Sequence, residues 1–245
     1  MNRNDKQAYD RGTSLFSPDG RIYQVEYARE AVKRGAPVVG VRTTDGVVLV
    51  GQRSAPSSLM ETKSIEKIHK LDDRLGAASA GHVADARKLI DFARTTAQRE
   101  RLRYGEPIAV EVLTKALTDN IQESTQSGGT RPFGASLLIG GVQNGDARLF
   151  ATDPSGTPQE WKAVAIGGLR NDIQEALEAG YTDDLTLDDG LALALSALRA
   201  ANDELTAEEV NAVTLSEAGY TELGEDELAE AFADAAPDEA DGDEA

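Results

Sequence analysis

Apolar residues at helical spacing form the first regular pattern in the chain. They follow the turn sequence at residues 17–20, in which Pro18 occupies the second position. The spacing predicts a helix over about residues 20–34, with Asp19 as its N-cap and Gly35 at its end.

Beyond this helix, short β-branched runs alternate with longer stretches of helical periodicity. Turn sequences such as Asp45-Gly46 and Asn144-Gly145 separate the runs and favour hairpins. The predicted strands cover residues 38–41, 47–50, 65–71, 75–80, 136–142, 147–152, a strand pair that ends at Ile166, and 210–215. The predicted helices cover residues 83–102, 107–126, 172–179, 187–201 and 225–232.

This order of elements indicates the fold class. Blocks of hairpin strands interrupted by paired helices are typical of antiparallel sheets covered by helices, whereas a parallel sheet would alternate strand and helix. We therefore predict an α+β fold, a four-layer α-β-β-α sandwich. Residues 13–233 form its single domain. Residues 1–12 are polar and lack core anchors, and residues 234–245 are too acidic and too poor in apolar residues to fold alone.

The composition is strongly acidic, with 43 Asp and Glu against 25 Lys and Arg and a net charge of −18. This argues against nucleic-acid binding, which needs clustered basic residues. Acidic residues are spread along the chain as well as crowded at its end, which favours the solvation strategy of proteins from a salty cytoplasm. The alternative is a local surface for a basic partner.

Several other classes of function are not expected. The chain has no cysteine, which excludes disulfides and thiolate chemistry, and the histidines His69 and His82 have no Cys partners for a metal site. Gly128-Gly129 is not followed by the Lys-Ser pair of a phosphate loop. No cofactor is expected. We also expect a cytoplasmic protein, because the sequence shows neither a secretory signal nor an apolar run of about 20 residues.

One segment resembles a known family. Tyr9-Asp10-Arg11, followed by the sequence FSPDGRIYQVEYA at residues 16–28, resembles the N-terminal signature of archaeal proteasome α-type subunits, and the acidic composition fits a salt-adapted archaeon. Further matches follow in family order at residues 64–68, 81–87, 128–134 and 153–156. The resemblance implies the same four-layer sandwich. His82 departs from it, because an apolar residue such as Leu is common at that position.

The resemblance also bears on catalysis. In β-type subunits of this family an N-terminal threonine opens the first core strand and acts as the nucleophile. Here Ala36 stands at that place and Gln52 replaces an acidic residue, although Lys67 falls where the catalytic lysine would be. The resemblance therefore implies a non-catalytic subunit. The alternatives are an autonomous N-terminal-nucleophile hydrolase and a β-type subunit that keeps its propeptide, for which Gly12-Thr13 would be the cleavage site.

The family resemblance further implies an assembly. Seven α subunits would form a ring that caps the β rings of the 20S core, and residues 1–12 would gate the entry of unfolded protein substrates. Helix 20–34 would lie at the ring surface and between neighbours. The residues that would hold the open gate are Tyr9, Asp10, Arg11, Pro18 and Tyr27.

Two more sites follow from the same resemblance. Lys67, Gly81 and His82 would form a pocket between subunits that docks the C-terminal hydrophobic-Tyr-any tails of a hexameric AAA ATPase, with the lysine pairing with the terminal carboxylate. Gly128, Gly129 and Thr130 would narrow the axial channel, since glycines allow a tight loop without bulky side chains.

Overall fold

The computed structural model describes residues 16–57, 59–127 and 129–235. Within them, ten strands form two five-stranded antiparallel sheets. The strands are β1 Val38–Arg42, β2 Gly46–Gln52, β3 Ile68–Asp72, β4 Leu75–Gly81, β5 Ala135–Gln143, β6 Asp146–Thr152, β7 Pro158–Glu160, β8 Ala163–Ile166, β9 Val210–Ser216 and β10 Gly219–Glu222. The first sheet has the order β10-β9-β2-β1-β8 and the second the order β3-β4-β5-β6-β7.

Helices cover both outer faces of the paired sheets. They are α1 Tyr23–Lys33, α2 Val83–Tyr104, α3 Val110–Gln126, α4 Arg170–Gly180, α5 Leu187–Ala201 and α6 Glu225–Asp234, with short 3-10 turns at Thr62–Ser64 and Ala207–Glu209. No helix in the described ranges combines the length and the hydropathy that a bilayer span requires.

The hydrophobic core has three layers, as a four-layer sandwich requires. Strand β2 shows why: its alternate residues Val47 and Leu49 pack between the two sheets, while Val48 and Val50 pack against α4 and α5. The second sheet packs in the same way against α2 and α3, for example at Leu137. Strands buried on both faces are continuous apolar runs. The predicted α-β-β-α sandwich is confirmed.

Helix α1 lies at the end of the sandwich, packed against β4 and β5 through Val25, Ala28 and Val32. It starts later than predicted, and the prediction of Asp19 as its N-cap is wrong, because Ile22 holds that position. The preceding turn is the cause: the Gly20 N–H donates to Ser17 O at 2.8 Å. Residues 17–20 are thereby committed to the turn.

The structure also differs from the predictions in strand pairing and in element boundaries. The segments 158–160 and 163–166 do not pair with each other; β7 pairs with β6 in the second sheet and β8 with β1 in the first. Strand β3 begins at residue 68 rather than 65, after a 3-10 turn. The hairpin partner β10 was not predicted. At the C-terminal side, α6 extends to Asp234 and Ala235 is buried.

Candidate functional site

Lys67 lies beside the start of the first core strand. Its Nζ donates a hydrogen bond to Ala36 O at 3.0 Å. The side chain reaches this position over Gly51 of β2, where an added Cβ would lie 2.9 Å from the Lys67 Cβ. Ala36 has no oxygen on its side chain, and its nitrogen is in a peptide bond with Gly35. A lysine is therefore present at this position without a nucleophile that it could assist.

The electrostatic surroundings of Lys67 are unusual for a lysine. Burial lowers its pKa to about 8, since removal from water penalises the charged form. Among the residues that the structure describes, no carboxylate lies within ion-pair distance of its ammonium. Lys70, which lies in β3 three residues after Lys67, is exposed instead, and its Nζ is 3.7 Å from an Asp73 oxygen. Lys67 is thus a desolvated cation without a counterion in the described chain.

A cleft of 510 Å³ opens between α1 and the end of β4. Its lining residues are Tyr27, Glu30, Ala31, Arg34, Gly35, Gly81 and His82. The structure thus brings together Gly81, His82 and Tyr27, all of which were singled out from the sequence. Lys67 does not line this cleft, but its ammonium binds Ala36, the residue that follows Gly35.

Two glycines allow the floor of the cleft to close. A Cβ on Gly35 would lie 2.3 Å from Gly81 N, and a Cβ on Gly81 would lie 2.3 Å from Gly134 O. Gly81 also has a φ of +109°, which side-chain-bearing residues rarely adopt. Close backbone packing between α1 and β4 therefore requires glycine at both positions.

His82 forms one wall of the cleft and is the N-cap residue of α2. Its backbone N–H donates to Gly134 O at 2.8 Å, and its Nδ1 lies 3.6 Å from Asp85 Oδ1. Asp85 is buried and accepts two hydrogen bonds from Arg131, at 2.6 and 2.8 Å, and one from Gly134 N at 2.9 Å. Although burial raises the pKa of Asp85, these donors hold it below its usual value. The wall therefore rests on an ionised carboxylate.

The sequence pattern missed part of the cleft. Glu30, Ala31 and Arg34 were not singled out, yet their spacing from Tyr27 carried a signal: residues three, four and seven apart share one face of a helix. The partnership of Asp85 with Arg131 had no such signal, because 46 residues separate the two along the chain.

Comparison with known proteins identifies the chain's relatives. A family model described as "Proteasome subunit" matches residues 32–215, and a second model, for the N-terminal signature of A-type proteasome subunits, matches residues 9–31. The chain belongs to the proteasome α-subunit family. It is 78% identical over 239 residues to the proteasome alpha 2 subunit of Haloferax volcanii, covering 98% of this chain and 96% of that protein. It is 60% identical over 232 residues to the proteasome alpha subunit of Haloquadratum walsbyi, covering 94% and 93%.

Membership of this family settles the catalytic question. This α subunit is a non-catalytic component of a threonine-protease complex, the 20S core, in which it assembles with other α and with β subunits. The chemistry at Ala36 is consistent with that assignment, because the strand start offers neither a hydroxyl nor a free amine. Its close haloarchaeal relatives also account for the acidic composition as a salt adaptation.

The remaining predicted site residues lie apart from this cleft or outside the described ranges. Pro18 occupies an exposed turn, and Thr130 donates through Oγ1 to Ser124 O and Ser127 O, which ties the chain to the end of α3. Gly129 has a φ of +89°. Outside the described residues lie the segment 1–12 with Tyr9, Asp10 and Arg11, the pair Gly12-Thr13, Gly128, and residues 236–245 of the acidic end.

A larger cavity of 650 Å³ lies between α1, the turn at 153–156 and the segment 167–172. At its edge Arg29 donates to Asp153 from Nη2 to Oδ1 at 2.9 Å and from Nε to Oδ2 at 3.0 Å and Oδ1 at 3.3 Å. Burial raises the pKa of Asp153, but the hydrogen bonds from Arg29 and Ser155 outweigh burial and hold this pKa below its usual value. This ion pair joins α1 to the turn that follows β6.

Proposed function

We propose that this α subunit forms seven-membered end rings on the 20S core, gates the entry of unfolded proteins, and docks the C-terminal tails of a hexameric AAA ATPase in the cytoplasm. The observation that supports tail docking best is the ammonium of Lys67, which is desolvated and has no carboxylate partner among the described residues.

A partly buried ammonium without a counterion is costly, because the water that it loses is not fully replaced by other partners. The Lys67 ammonium has three donors, and one of them is used by Ala36 O. An incoming carboxylate would accept from the others and form a charge-assisted pair. Since Ala36 leaves this lysine no catalytic role, binding a carboxylate is the function that fits it.

The neighbouring cleft suits the rest of a tail. Tyr27 is 49% exposed and offers ring area together with a hydroxyl. Gly35 and Gly81 add no side chains to the floor of the cleft, which keeps that floor free of bulky groups. Tyr27 also belongs to the proposed gate cluster with Pro18, so a docked tail and the gate would share one residue.

The experiment compares Lys67→Ala with Lys70→Ala in the assembled core. Lys67→Ala should weaken binding of the tail about 5- to 150-fold per site, the effect of about 1–3 kcal/mol for a charge-assisted pair. Several pockets engage one ATPase ring, so avidity should magnify the loss of stimulation. Lys70→Ala removes an exposed lysine of β3, three residues after Lys67, and should leave stimulation unchanged.

Ring assembly and basal peptide hydrolysis should be the same in both variants. Normal ATPase stimulation of the Lys67→Ala core would show that the carboxylate binds elsewhere.

A further inference from the structure

The cleft beside α1 carries two groups that docking of a single carboxylate at Lys67 does not use. Arg34 is exposed and makes no ion pair within the described part of the chain. The His82 side chain is 57% exposed. Both groups line the cleft next to Tyr27.

The carboxylates near these groups are already engaged. Glu30, which also lines the cleft, accepts a hydrogen bond from Lys33 Nζ at 2.6 Å. Asp85, behind His82, is held by Arg131 and by the Gly134 backbone. The cleft can therefore accommodate a further negative charge, although the whole chain carries a net charge of −18.

The orientation of His82 favours an anion in the cleft. Its Nδ1 edge faces Asp85 Oδ1 at 3.6 Å, so Asp85 does not occupy the Nε2 edge, and the residue lines the cleft. A carboxylate in the cleft could accept a hydrogen bond from the imidazole edge that does not face Asp85, and a second one from the Arg34 guanidinium. Contact of this kind persists in concentrated salt better than long-range attraction, because the Debye length falls to about 3 Å at 1 M.

We infer that His82 and Arg34 together recognise a second carboxylate, from an Asp or Glu side chain a few residues upstream of the docked tail's C-terminus. This inference rests on the proposed docking of the terminal carboxylate at Lys67. His82 is then a specificity-determining residue: the cleft selects acidic tails over neutral ones of the same apolar sequence.

The test measures binding of fluorescent seven-residue tail peptides to the assembled core by anisotropy. All peptides end in the hydrophobic-Tyr-any sequence, and they carry Glu or Gln at one of the three upstream positions in turn. For at least one position the wild-type core should bind the Glu peptide about three- to tenfold more tightly than the Gln peptide, the effect of one charge-assisted contact.

Variants then show which residues cause the preference for the Glu peptide. His82→Leu and Arg34→Gln should each reduce it, and the double variant should abolish it, so that Glu and Gln peptides bind that variant with equal affinity. Arg87→Gln removes an exposed arginine of α2 that does not line the cleft, and it should keep the full preference. Assembly of every variant is checked by size-exclusion chromatography, and Arg34→Gln alone still tests the inference if His82→Leu does not assemble.

The outcomes separate this inference from the docking proposal. Equal binding of Glu and Gln peptides at all three positions, or a preference that survives in the double variant, would overturn the second carboxylate site. If Lys67→Ala abolishes binding of all peptides while no Glu preference exists, only the inference about His82 and Arg34 fails. If Lys67→Ala binds every peptide like the wild type, the docking proposal itself fails.

Discussion

Replacing Lys67 with Met tests whether the lysine is kept at a cost to stability. Met retains most of the apolar stem over Gly51 and removes the ammonium. The folded chain holds Lys67 at a pKa of about 8, below the 10.5 of a free lysine. The unfolded chain therefore binds more protons between these values. Below pH 8 the folded chain bears the full free-energy cost of holding the charged ammonium away from water, and this cost vanishes as the pH rises toward 10.5.

The size of the effect follows from that shift. At about 1.4 kcal/mol per unit, the shift corresponds to about 3 kcal/mol. Partial solvent access of the side chain reduces this to about 2 kcal/mol. The hydrogen bond to Ala36 O is also lost, which costs about 1 kcal/mol. We expect Lys67→Met to raise the free energy of unfolding at pH 7 by about 1 kcal/mol net.

The assay is guanidinium unfolding in matched salt at pH 7 and at pH 10, with Lys70→Met as the exposed control. The gain from Lys67→Met should be present at pH 7 and should largely disappear at pH 10, whereas the control should show neither effect. A variant less stable than the wild type at pH 7, or a gain that does not change with pH, would refute the argument that burial of the charge is the cost.

Three further predictions concern the assembly and the cleft. Deleting residues 2–12 should raise peptide hydrolysis by the core without an activator, most of all for bulky substrates; equal rates across substrate sizes would refute the gate. Arg29→Met should weaken the packing of α1 and lower the free energy of unfolding by about 1 kcal/mol near pH 7. The difference from the wild type should disappear in acid, because the ion pair is lost as the pH drops through the lowered pKa of Asp153. A difference that stays constant when unfolding is measured across this pH range would contradict this. Gly81→Ala should abolish tail binding, as measured by fluorescence anisotropy, since the added Cβ would lie 2.3 Å from Gly134 O. Binding with wild-type affinity would show that the backbone at the floor of the cleft shifts to accommodate the methyl group.

Local signals in the sequence were enough to predict most elements and the family. Strands such as β1, β2 and β5 were predictable because their apolar runs and turn residues are local. The same is true of α5, whose predicted bounds match the structure at both ends. The absence of a nucleophile at Ala36 was also visible, because it depends on the identity of one residue at a recognisable position.

Tertiary contacts decided what depends on residues distant in sequence. The chain near Trp161 crosses from one sheet to the other, and only the pairing partners β6 and β1 show this. The start of α1 was misjudged because the Ser17 turn competes for the same backbone groups.

The character of the site was likewise set by tertiary contacts. The depressed pKa of Lys67 arises from burial over β2, and the orientation of His82 arises from Asp85, which Arg131 holds in place. Periodicity indicates which face of a helix or strand is buried, but it does not indicate which residues pack against that face. Burial and charge pairing between distant segments exist only once the chain has folded, and they decide how these side chains behave.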